Sequence, residues 1–76
     1  MKSPIRWALK WQDSERAFIL WHDAKPLLFH TRREARQYAD KTYGYIRERA
    51  DLRSPPHNWR MPRPVRVEVV FREVAP

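Results

Sequence analysis

Prolines at 55, 56, 62 and 64 set the tightest limit on how this chain folds. Each fixes φ and removes a backbone N–H, so residues 54–64 form neither a helix interior nor a strand paired on both sides. The stretch "SPPHNWRMPRPVRV", residues 54–67, is therefore expected as an extended loop that delivers a last strand. It is either a rigid arm that touches a partner or a stiff connector.

What flanks the loop is strongly patterned. Beyond Pro64, "VRVEVVFREV" alternates: Val65, Val67, Val69 and Phe71 face one way, and Arg66, Glu68, Val70 and Arg72 the other. At the start of the chain, Ile5, Trp7, Leu9 and Trp11 alternate with Arg6, Ala8 and Lys10, which predicts a strand with one buried face. "QDSER" is a polar turn, and "AFILWH" after it is apolar on both sides, the mark of a strand in the middle of a sheet. Asp23 serves as a turn-former and Pro26 as an edge residue, ahead of a short third strand in "LLFH".

The pattern then changes period. Thr31, Arg32, Arg33 and Glu34 form a capping box: the Thr31 side chain accepts from the first amides, and Glu34 reaches back to the cap's own N–H. Ala35, Tyr38, Ala39, Thr42 and Tyr43 follow on one helical face, with Arg32, Arg33, Arg36, Gln37 and Lys41 away from it. Gly44, the single glycine, is expected to end the helix in a left-handed conformation. Residues 45–53, "YIRERADLR", are read as irregular. These segments predict an α+β fold, an antiparallel sheet of three to four strands in the order β-β-β-α-β with one helix packed on one face. All 76 residues belong to one domain with no internal repeat.

A domain of this size buries only about 60% of the surface of its unfolded chain. Without cysteine it has neither a disulfide framework nor a thiolate zinc site, so packing or self-association as a homodimer must stabilise it. No metal or cofactor is expected. The residues near the N-terminus lack the apolar run of a signal sequence, and no apolar segment is long enough to span a membrane, so a cytoplasmic location is expected.

Sixteen lysines and arginines against nine acids give a formal charge of +7, and arginines outnumber lysines twelve to four. Such a balance points to an anionic partner, and arginine in particular suits bidentate phosphate contacts and ring stacking. No nucleophile with a base, no paired carboxylates and no phosphate-cradling glycine loop is present, so the chain is not read as an enzyme. His22, Asp23 and His30 flank one hairpin, but neighbouring strand residues point to opposite faces. Trp7, Trp11 and Trp21 are expected in the core. Trp59 is either a lid over one end of the core or an exposed stacking platform.

Phe29, Thr31, Glu34 and Ala35 match a strand-to-helix junction, Phe-x-Thr-x-x-Glu-Ala, and on it residues 5–43 resemble the arm-type, AP2-like DNA-binding domains of phage and tyrosine integrases. Each of the four also has a structural role in any strand–helix unit of this geometry. The resemblance implies a three-stranded sheet that enters the major groove, with Arg6, Lys10, Arg16 and Lys25 toward DNA. Small size, arginine bias and this junction also resemble accessory proteins of phages and prophages, some of which block host defence machinery.

The reading that follows is a small basic phage-type accessory protein that binds nucleic acid. Arg32, Arg33 and Arg36 at the helix start and Arg60, Arg63 and Arg66 along the loop and last strand neutralise phosphates, with Trp59 available for stacking. The alternative is an inhibitor that docks the same arginines on an acidic protein surface and acts by occlusion.

Overall fold

The computed structural model describes residues 4–75. Its elements are β1 (Ile5–Gln12), β2 (Ala17–Ile19), β3 (Trp21–His22), β4 (Lys25–Pro26), β5 (Leu28–Phe29), α1 (Arg32–Tyr43), α2 (Tyr45–Glu48), α3 (Ala50–Arg53) and β6 (Arg63–Glu68). They form the α+β architecture expected from the alternating patterns, an antiparallel four-stranded sheet with α1 across one face.

The middle of the sheet is β1, not the segment that follows it. β6 runs along one edge of β1 from Ile5↔Glu68 to Lys10↔Arg63. β2 and β5 lie end to end along the other, through Lys10↔Ile19 and Ala8↔Leu28. The two-sided apolarity of residues 17–22 has a different cause. Leu20 is buried in the core, whereas Trp21 leaves the sheet in the small β3–β4 hairpin and is 63% exposed. Trp21 is thus not a core residue.

The hairpin is an excursion from an otherwise continuous strand. Leu20 donates its N–H to the Leu9 carbonyl at 2.9 Å, and Leu27 donates to the Leu20 carbonyl at 3.0 Å, so the base of the hairpin is closed by backbone bonding. Trp21 faces Pro26 and His22 faces Lys25 across it. The two turn residues, Asp23 and Ala24, have φ of 50° and 61°, the positive values that a two-residue turn between twisted strands requires. In this exposed turn His22 Nε2 comes within 3.2 Å of Asp23, a contact that strand alternation alone does not suggest.

The α1 N-terminus forms as the capping box predicts, in part. Thr31 Oγ1 accepts from the Glu34 N–H at 3.1 Å. The Glu34 carboxylate, however, reaches past the cap and accepts from the His30 N–H at 3.4 Å. Ala35 and Ala39 stand one turn apart and are both buried, which brings the helix close to the sheet.

Gly44 does not adopt the expected left-handed conformation. Its φ and ψ are −56° and −27°, and the chain continues through the short helices α2 and α3 rather than an irregular segment. Glycine is required there by crowding: a Cβ would run into the Asp40 carbonyl oxygen. The redirected chain buries Ile46 and Leu52.

Leu9, Trp11, Leu20, Ala35, Ala39 and Ile46 make the core, with Trp7, Phe29, Tyr38, Tyr43, Trp59 and Met61 packed around it. Directly opposed residues in an antiparallel pair share a face, so Val65 opposite Ala8 and Val67 opposite Arg6 lie on the side away from α1. The last strand stops at Glu68, short of its sequence pattern. Val69 makes a final bond to the Pro4 carbonyl at 2.9 Å, and Phe71 is almost fully exposed.

Candidate functional site

The proline-rich stretch is a turn followed by an extended lead into β6. His57 and Asn58 donate to the Ser54 carbonyl at 3.1 and 3.0 Å, and Asn58 takes a positive φ of 52°. Trp59 then donates to the Leu52 carbonyl at 2.9 Å. From the far side, Ser14 Oγ in the β1–β2 turn donates to the Pro56 carbonyl at 2.9 Å. The loop is therefore fastened at both ends.

Trp59 is a half-buried part of that fastening. Its ring meets Trp11 edge to face with centroids 5.3 Å apart, and His57 lies 5.8 Å away on the same stretch. Of the two roles open in the sequence it fills that of the lid, and the exposed platform does not form at residue 59. The tryptophan that does project is Trp21.

The arginines divide into groups. Arg32 and Arg36, one turn apart on α1, line a groove of about 230 Å³ together with Arg63 and the prolines on either side of it. Arg33 adjoins them in a shallower hollow shared with Gln37. Arg60 lies elsewhere, in a hollow beside Gln12, Asp13 and Asn58. Arg66 is exposed on β6 opposite Trp7. Arg32, Arg33, Arg36 and Arg63 thus come together, while Arg60 and Arg66 do not join them.

The two carboxylates that line these hollows, Asp40 and Asp13, are already engaged. Asp40 faces the same groove but accepts from Arg47 Nη2 at 2.6 Å. Arg49 and Asp51 pair at 2.6 Å, and their mutual hydrogen bond lowers the Asp51 carboxyl below its ordinary range and raises the Arg49 guanidinium. Asp13 accepts from the Trp11 indole at 2.9 Å and from the Glu15 and Arg16 amides. These bonds hold its carboxyl down at about 2, with the Trp11 bond the largest cause. Among the described residues, Arg32, Arg33, Arg36, Arg60, Arg63 and Arg66 form no ion pair.

Arg47 was not legible as part of this groove, because residues 45–53 carry no clear period; the cue was Asp40 seven positions earlier, on the exposed side of α1. Of the cations implied by the integrase resemblance, Arg6 and Lys10 share the outer sheet face with Arg63, which stands opposite Lys10. Arg16 is drawn to Asp13 at 3.4 Å. Among the described residues no three metal-ligating side chains cluster and no helix is long and apolar enough to cross a membrane. The chain matches no family model, no curated protein and no solved structure.

Proposed function

We propose that the chain binds nucleic acid through its phosphates, with Arg32, Arg36 and Arg63 around one groove as the principal contacts and Arg33 beside them. The observation that carries this reading is the state of the groove's charges. Its carboxylate, Asp40, is taken up by Arg47, and the three arginines keep their donors for an external anion. Like charges at positions 32 and 36 of one helix repel, a modest cost that an intervening phosphate would remove. Guanidinium forks on a helix and a strand entry suit a backbone followed in register, with no base read.

Titration of fluorescent duplex and single-stranded oligonucleotides, in DNA and RNA form, across a salt series tests the reading. Affinity that falls linearly in log–log form with salt is expected. No binding of any of the four at about 50 mM salt would refute it.

A further inference from the structure

The sheet face turned away from α1 carries an apolar groove of about 300 Å³, remote in chemistry from the arginine groove. Ile19, Trp21, Pro26 and Leu28 line it from one side of β1, and Val67 and Val70 from the other. Trp21 is 63% exposed and Val70 56%, an unusual apolar exposure for so small a chain. Trp21 is held out by a closed hairpin and backed by Pro26, so it is presented with little freedom to lose on contact.

Cations surround this apolar strip. The register sets Arg6 beside Val67 and Lys10 between Ile19 and Arg63, and Lys25 adjoins Pro26 on the hairpin. Glu68 is the one acid lining the groove among the described residues. A large exposed aromatic beside an apolar strip, with charge around it, is the anatomy of a protein–protein contact.

We infer that this face docks an acidic protein, which inserts an apolar side chain between Trp21 and Val67 and sets carboxylates against Arg6 and Lys10. The charge selects this occupant over a second copy. A two-fold contact would lay one cation-rimmed patch on another and bring the like charges of Arg6 and Lys10 close across it. Nucleic acid would meet the cations and can stack a base on Trp21, but its sugars and thymine methyls offer little aliphatic surface to fill the strip of Ile19, Leu28 and Val67. The inference stands on different residues from the phosphate reading and survives its failure.

The test is an isotope-edited NMR titration of the full chain with a short peptide that alternates leucine and aspartate. A leucine–lysine peptide and a DNA oligonucleotide are run in parallel. Shifts at Ile19, Leu28, Val67 and the Trp21 indole are expected with the aspartate peptide alone. Either Trp21→Ser or Val70→Ser, both at exposed positions, should weaken binding by roughly tenfold or more, and Lys10→Glu should do the same through charge. Absence of those shifts at about 1 mM peptide overturns the inference, as does equal binding of the lysine peptide. Shifts at these residues with DNA assign the face to nucleic acid instead. A concentration-dependent dimer in sedimentation, lost in Trp21→Ser, assigns it to a second copy.

Discussion

Trp11 and Trp59 meet edge to face, centroids 5.3 Å apart and planes at 73°, although 48 positions separate them. The contact joins the far end of the central strand to the loop that delivers the last one. Trp59→Ala is expected to lower stability by roughly 3 kcal/mol, since a half-buried ring loses less than a fully buried one. For a domain of this length that is a fall in melting temperature of well over 10 °C, on the scale of about 4–8 °C per kcal/mol. Arg60→Ala, next in sequence but exposed, should leave the melt unchanged; equal losses in both variants would refute the lid role.

The Trp11 indole also anchors Asp13, and that pairing has a pH signature. The folded carboxyl titrates at about 2, below the unfolded value of about 3.9. Its contribution is therefore complete above about pH 4 and is lost as pH falls toward 2. Asp13→Asn should lower stability at neutral pH and flatten the acid limb between about pH 4 and 2. Urea midpoints measured at pH 7, 4 and 2.5 check this, and an acid limb as steep as in the parent would count against it.

Gly44→Ala sets two effects against each other. Alanine favours a helical φ such as −56° by up to about 1 kcal/mol, but its Cβ meets the Asp40 carbonyl, which is backbone and moves only with the end of α1. The collision should win, with a net loss of about 1 kcal/mol or more. A stabilised variant in thermal melts would mean that α1 and α2 can join without the turn.

Thr31→Ala removes the acceptor for the Glu34 amide and should cost about 1 kcal/mol. Helicity by circular dichroism should fall with it only slightly, because Ala35 and Ala39 hold the helix to the sheet. An unchanged melting temperature would show the cap to be dispensable.

Replacing Arg32, Arg36 and Arg63 together with alanine should leave the melt within about 0.5 kcal/mol of the parent, as exposed charges contribute little. Nucleic-acid affinity should fall, and the salt slope should flatten by about 3, one for each lost phosphate contact. Arg60→Ala plus Arg66→Ala, lying apart from the groove, should move the slope less. The reverse ranking would place the contact on the loop and last strand.

The strands and α1 were legible because each has a clean period and a defined end. Their arrangement was less so, and residues 5–22 show why. The centre of the sheet is disguised by Arg6 and Lys10, whose aliphatic stems can cover the outer face while the charged heads stay in water, so β1 reads as a strand with only one buried face. The following segment looks central because two tasks share it: Leu20 fills the core, and Trp21 departs on a hairpin one residue later. Gly44 misled for a related reason, since composition records that a side chain is absent but not whether torsion or crowding excludes it. The arginines of the groove were individually visible; that Arg63 joins Arg32 and Arg36 while Arg60 does not depends on the turn at residues 55–58, where Asn58 reverses the chain.

The bond from Leu27 to Leu20 makes residues 21–26 a parenthesis in the sheet. Because the strand closes behind them, the hairpin can be lengthened, shortened or exchanged without shifting how Ile19 and Leu28 stand against β1. Whatever Trp21 touches, the chain holds its contact tip on a mount from which other tips of the same span could be hung. The exposed Trp21 tip is in this way free to change faster than the scaffold that carries it.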